Sequence, residues 1–208
     1  MEKRNIFLLQ MITVVGLLIV SGYWGAVYSQ EIKKIMSIEA YDMLNTVPDT
    51  YLIDVRTREE YQYVGHPVNA YLFPYMLFSD RLEKVGEKYE YRTARNKDFV
   101  AEITKAFKKT DNLLILSRDG STSALGAKEL TAAGFKNVFD ITDGFEGADF
   151  PTFDDENRNK YYRQLAKRNK IEGYQQRRHY GWQWWGLPWT YDIDTKYIYP
   201  PDVKTIKK

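Results

Sequence analysis

Residues 113–116, Leu-Leu-Ile-Leu, form a run without a polar position, and a strand of this kind has to be covered on both faces. The run breaks into Ser117-Arg118-Asp119-Gly120-Ser121-Thr122-Ser123 and then into a helical stretch over 123–133 that Gly134 stops. Residues 51–55 and 138–141 read as further buried strands, and 69–74 as another candidate. Between them lie helical patterns at 37–44, with Ser37 as cap, at 59–64, and at 99–108, where Phe99, Ile103, Ala106 and Phe107 share one face. Residues 79–90 are charged and read as irregular or loosely helical. Strands alternating with helices predict an α/β fold, a parallel sheet with helices on both faces. Such sheets bind ligands beyond the carboxyl ends of their strands, which is where Ser117 falls.

The chemistry of that loop follows from its residues. Gly120 permits backbone angles closed to other residues, and Ser121, Thr122 or Ser123 can cap the helix that follows. Successive backbone N–H groups at a helix N-terminus then favour a small oxyanion. Asp119 brings negative charge to the rim and weakens such a cradle, while Arg118 either binds an anion or holds the loop. No cysteine occurs anywhere in the 208 residues, which removes disulfides, thiolate metal sites and thiol nucleophiles together. A serine hydroxyl needs an adjacent base to attack anything. His66 and His179 are the only histidines, and neither falls in a base–nucleophile pattern; His66 reads as a structural hydrogen-bonding residue. No metal-ligand constellation is visible and no cofactor is expected.

The segment 112–138 resembles the active-site region of the rhodanese (thiosulfate sulfurtransferase) family, in which a cysteine opens a loop of the type C-R-x-G-x-T. Tyr51-Leu52-Ile53-Asp54-Val55-Arg56, then Glu59, Glu60 and Tyr61, then Val64-Gly65-His66-Pro67 and Ala70, is similar to the family's second signature, with Asn69 where glycine is usual. Asp140-Ile141 with Asp143-Gly144-Phe145 resembles its closing strand and turn, and Gly186-Leu187-Pro188-Trp189 its end. The resemblance implies a rhodanese-like fold over about residues 35–191. It implies that Asp54 ties its own loop to the Ser117 loop; by their own chemistry Arg56 and Arg58 either flank the pocket mouth or pair with Glu59 or Glu60. In the family the cradle stabilises a thiolate and its persulfide. Ser117 cannot hold that sulfur, so the usual relay is blocked here, and relatives with phosphatase or arsenate reductase activity depend on the same cysteine.

Lys3 and Arg4 precede an uncharged stretch, residues 5–30, whose apolar heart is 6–20. It reads as an N-terminal transmembrane helix over 6–28, long enough for about 30 Å of hydrocarbon, with Tyr23, Trp24 and Tyr28 at the far interface. The alternative is a signal peptide cut after Ser29. Either places residue 31 onward in the periplasm or extracytoplasmic space, anchored or released. Residues 1–30 are thus an anchor or signal, and 35–150 the domain core. Residues 151–180 form a basic insertion, in which eight Lys and Arg between 158 and 178 face Glu172 alone, a local charge of +7. That insertion is either a solvated segment or a contact for anionic headgroups or an acidic partner. Residues 181–208 are a Trp-rich closing turn and tail. Trp182, Trp184, Trp185 and Trp189 are more than one turn can bury, so they are expected on a partner surface, with the tail from Tyr191 disordered or laid along that partner. A net charge of +2 gives no indication of nucleic acid. The expected function is an inactive, membrane-tethered extracytoplasmic binding subunit of a larger envelope complex. The alternatives are a sensor of thiosulfate, sulfite or phosphate, and a residual enzyme.

Overall fold

The computed structural model describes residues 32–148, 155–168 and 180–199. Five parallel strands form the central sheet: β1 (Lys33–Ile35), β2 (Thr50–Asp54), β4 (Tyr71–Leu72), β7 (Asn112–Leu116) and β8 (Asn137–Ile141), in the order β1-β8-β7-β2-β4. Side chains alternate across a strand, and the four aliphatics of β7 divide accordingly. Leu113 and Ile115 join one core cluster with Phe99, Ile103, Leu130 and Phe135. Leu114 and Leu116 join the other with Ala40, Phe139, Phe145 and Trp182. The helices α1 (Ser37–Thr46) and α2 (Arg58–Tyr63) stand on the second side, and α3 (Phe99–Ala106) and α4 (Ser121–Ala132) on the first. Both faces of the sheet are covered, as the unbroken apolar run requires.

Several expectations are corrected. Strand β1 escaped notice because it is three residues long and begins with two lysines, yet Lys34 and Ile35 pair in register with Asp140 and Ile141. The candidate strand at 69–74 shrinks to β4. Asn69 has φ +64, the left-handed conformation for which the family usually has glycine and that asparagine tolerates better than most residues. Ser37 does not cap α1; its buried hydroxyl donates to Asp143 Oδ1 at 2.8 Å and the Gly144 carbonyl at 3.0 Å. Residues 79–90 are neither helical nor irregular: β5 (Met76–Val85) and β6 (Lys88–Arg95) make an antiparallel hairpin beside the main sheet.

The C-terminal region returns to its own domain. β3 (His66–Pro67) pairs antiparallel with β9 (Trp189–Thr190). Beyond it, a 3-10 turn over Thr195–Tyr197 brings Ile198 beside Leu72, and the Tyr199 ring stacks on Phe73 at 4.4 Å. Of the expected tail, residues 197–199 therefore lie against the sheet edge, 191–196 are exposed, and 200–208 lie outside the described residues. Residues 156–168 of the basic insertion form helix α5 (Glu156–Arg168), with Arg158, Lys160 and Arg168 exposed. Among the described residues no helix is long and apolar enough to cross a membrane; the expected span at 6–28 lies outside them.

Candidate functional site

Ser117 follows β7 directly, and two successive sets of backbone hydrogen bonds position it. The Ser117 and Arg118 carbonyls accept from the N–H groups of Phe145 and Glu146, at 2.8 and 3.0 Å. The Gly144 and Phe145 carbonyls accept in turn from Trp182 and Gln183. Asp143 joins the two sets: its carboxylate takes Ser37 N–H and Oγ on one oxygen, and Gly181 N–H and Trp185 Nε1 on the other. The Trp-rich segment thus clamps the turn that clamps the loop. Trp182 is 1% exposed, with its indole N–H on the Pro188 carbonyl, which corrects its expected place on a partner surface. Trp184, Trp185 and Trp189 are half-buried, packed on Trp185, on Trp184 and Tyr180, and on Phe145 respectively. Four indoles fit because they do not share one turn: Trp182 joins the core, Trp185 and Trp189 meet Asp143 and Phe145, and Trp184 packs on Tyr180 and Trp185.

Within the loop, Ser117 is 1% exposed and its oxygen accepts from the Gly120 N–H at 3.1 Å. Its hydroxyl donates to Ser123 Oγ at 3.2 Å, and that hydroxyl donates to the Gly120 carbonyl at 3.0 Å. Gly120, at φ +88, is itself the cap residue of α4; a Cβ there would lie 2.1 Å from the Thr142 carbonyl oxygen. No hydroxyl caps the helix as expected from Ser121, Thr122 or Ser123. Instead Asp119 Oδ1 accepts from Ser121 N–H at 3.1 Å and Ser121 Oγ at 2.6 Å. Two amides that would have faced an anion are therefore occupied by the loop's own oxygens. Arg118 takes its holding role: Nε lies 3.3 Å from Glu146 Oε1.

Ser117, Arg118, Asp119, Ser121 and Thr122 line a cavity of about 470 Å³ together with Arg56, Thr57, Glu60, Met76, Phe78 and Thr93. The base of the β5–β6 hairpin is one wall, and sequence reasoning missed it by misreading that segment. Arg56 does reach the pocket, but Asp54 does not bridge to the Ser117 loop. The Asp54 carboxylate takes Arg56 N–H, Nε and Nη2, the last at 2.6 Å, while the guanidinium also donates to the Gly65 carbonyl and lies 4.0 Å over the Phe145 ring. Neither Glu59 nor Glu60 pairs with it; Glu60 instead completes a capping box with Thr57. Arg56 Nη1 is buried without a hydrogen-bond partner. His66 is set apart, Nδ1 at 3.0 Å from the Tyr61 carbonyl and its ring stacked on Tyr61 at 3.5 Å. Burial lowers its pKa, which favours the neutral imidazole. His179 lies outside the described residues, and among the described residues no metal-binding cluster occurs.

Behind the loop, Asp140 on β8 is 2% exposed and its Oδ1 has no partner. Burial raises its pKa, and the Ser123 hydroxyl and Lys34 pull it back down. The raised folded value means that the native state binds this proton more readily than the unfolded chain. That stability is complete below about pH 3.8 and is lost as pH rises through the folded value. Thermal melts should therefore show Asp140→Asn gaining on the wild type between pH 4 and pH 7; parallel pH profiles would exclude a carboxyl uncharged at low pH and penalised above it.

The family model for the rhodanese-like domain matches residues 37–148. An uncharacterized protein of Rickettsia rickettsii is 34% identical over 118 residues, covering 56% of this chain and 85% of that one. Thiosulfate sulfurtransferase 16 of Arabidopsis thaliana chloroplasts is 30% identical over 93 residues, 45% of this chain and 68% of that one. Among solved structures, Rv0390 from M. tuberculosis superposes with a TM-score of 0.53 at 24% identity, over 77% of this chain and 98% of that one, a likeness of fold.

Proposed function

This chain belongs to the rhodanese-like domain family, and on that footing we propose that it is a member without sulfur-transfer chemistry that acts as a binding module. The observation that carries the reading is Ser117, a buried hydroxyl where the family places its thiol. A serine cannot hold a transferable sulfur atom, and activating it as a nucleophile would take a base. The one histidine among the described residues is turned towards Tyr61. We further propose that residues 6–28 tether the domain to a membrane on its extracytoplasmic side, as an accessory subunit of an envelope complex. The uncharged N-terminal stretch and the basic segment between 158 and 178 support this.

A second reading, binding of thiosulfate, sulfite or phosphate, has one observation in its favour: the buried, unpartnered Nη1 of Arg56 in a residue lining the pocket. Asp119, lining the same pocket, weighs against it. Purified wild-type protein is expected to show no turnover of thiosulfate and cyanide and no change of melting temperature with millimolar thiosulfate, sulfite or phosphate. Turnover sinks the binding-module reading. A melting shift that Ser117→Phe abolishes would establish the sensor instead.

A further inference from the structure

The β5–β6 hairpin carries a two-stranded ladder, and among the described residues nothing pairs with the outer edge of β6. Two strands alone are marginal in water, and an open edge is a template for another strand. The two edges differ. β5 is broken by a register shift in which residues 79–81 stand opposite Arg92 alone, whereas β6 runs regularly from Lys88 to Arg95.

The faces of the hairpin differ as well. On one, Leu82 and Tyr91 are cross-strand partners with Tyr89 beside them, and they are 54%, 60% and 66% exposed. On the other, Glu83 lies directly opposite Glu90, a like-charge pair that an antiparallel ladder disfavours. Arg92 lies 3.1 Å from Glu83, which leaves Glu90 without an ion partner among the described residues. The turn fixes where the free backbone groups point. Gly86, at φ +61, and Glu87 form a two-residue connection, so Val85 and Lys88 bond each other. The alternation of the ladder then turns the N–H and C=O groups of Tyr89, Tyr91 and Thr93 outward.

We infer that this edge is a self-association surface, on which two copies of the chain pair β6 against β6 antiparallel about a two-fold axis at Tyr91. Tyr91 then bonds Tyr91 of the second copy, and Tyr89 bonds Thr93, so every outward backbone group finds its complement. On the charged face Glu90 meets the second copy's Arg92 and Arg92 meets its Glu90, as two-fold symmetry requires. An axis at Glu90 would oppose two glutamates and one at Arg92 two arginines, while one at Tyr89 would set Glu90 against Lys88 but overlap only residues 88–90 of the strand, so charge and overlap together select the register. Leu82 and Tyr91 of both copies form one apolar stripe on the other face.

The absence of native cysteine makes the register testable. A bonded antiparallel pair sets its Cα atoms about 5.5 Å apart, within the roughly 4.4–6.8 Å that a disulfide spans. Full-length Tyr91→Cys is expected to form a covalent dimer under mild oxidation, and Lys88→Cys, also at an exposed position, is not. Glu90→Arg separates folding from association. The new arginine relieves Glu83 within its own hairpin but opposes Arg92 of the second copy. Its dimer dissociation constant, by sedimentation equilibrium, should rise at least tenfold with no loss of thermal stability, and Glu90→Arg/Arg92→Glu should restore it. A wild type that is monomeric throughout, cross-linking no faster at 91 than at 88, or a dimer indifferent to Glu90→Arg would overturn the inference.

Discussion

Ser117→Cys is expected to turn a protein that moves no sulfur from thiosulfate to cyanide into one that does, by roughly 10²- to 10⁴-fold over the wild-type background, short of the roughly 10⁶ that a nucleophile is worth in an optimised site. The position is prepared for an anion in one respect. The Gly120 N–H already points at the side-chain oxygen from 3.1 Å, at the start of the 12-residue helix α4, and both features lower a thiol pKa. Two features oppose them. Ser117 is buried, and Asp119 lines the same cavity. The thiolate would take the outer sulfur of thiosulfate with release of sulfite, then yield it to cyanide as thiocyanate and be regenerated. Asp119→Ser added to Ser117→Cys should raise the rate further. Turnover by the wild type equal to that of an active variant would refute the binding-module reading. A folded but inactive Ser117→Cys protein would show that the pocket was lost along with its nucleophile.

Trp182→Ala is expected to lower stability by about 3–5 kcal/mol, and with it the melting temperature by roughly 6–20 °C for a chain of this size. The indole is 1% exposed, edge-on to Tyr41 at 5.9 Å and bonded to the Pro188 carbonyl at 2.9 Å. Its backbone N–H also holds the Gly144 carbonyl, so the loss should loosen the turn that fixes the Ser117 and Arg118 carbonyls. Trp184→Ala, at a half-buried ring packed mainly on Tyr180 and Trp185, should cost less than half as much. If melting of Trp182→Ala matched the wild type, the Trp-rich segment would not be the clamp described here.

Where local pattern and burial coincide, the sequence was readable. The aliphatic run of β7, the amphipathic face of α3 and the strand before Asp54 all appear near their expected limits because each buries most of its apolar face in the core. The hairpin was misread because its exposed strands carry charges and lack a clean alternation across the bulge. The two-residue Gly86-Glu87 connection between Val85 and Lys88 was the signal that could have found it. In the site, the loop and Arg56 were legible as a group. The clamp through Asp143 and the burial of Asp140 were not, since each depends on which residues distant in the chain become neighbours, and the pairing of Asp54 with Arg56, two residues on, was missed although it is local.

The sequence by itself determined the parallel α/β sheet, the loop beyond β7 and the loss of the thiol, because strand burial, glycine conformation and side-chain chemistry are properties of single residues and short segments. Only the tertiary structure decided how that loop is used. The 143–147 turn holds the Ser117 and Arg118 carbonyls, the tryptophans close over that turn, and among the described residues a hairpin edge is left open, because those outcomes depend on the three-dimensional meeting of groups whose hydrogen-bonding needs no local pattern records.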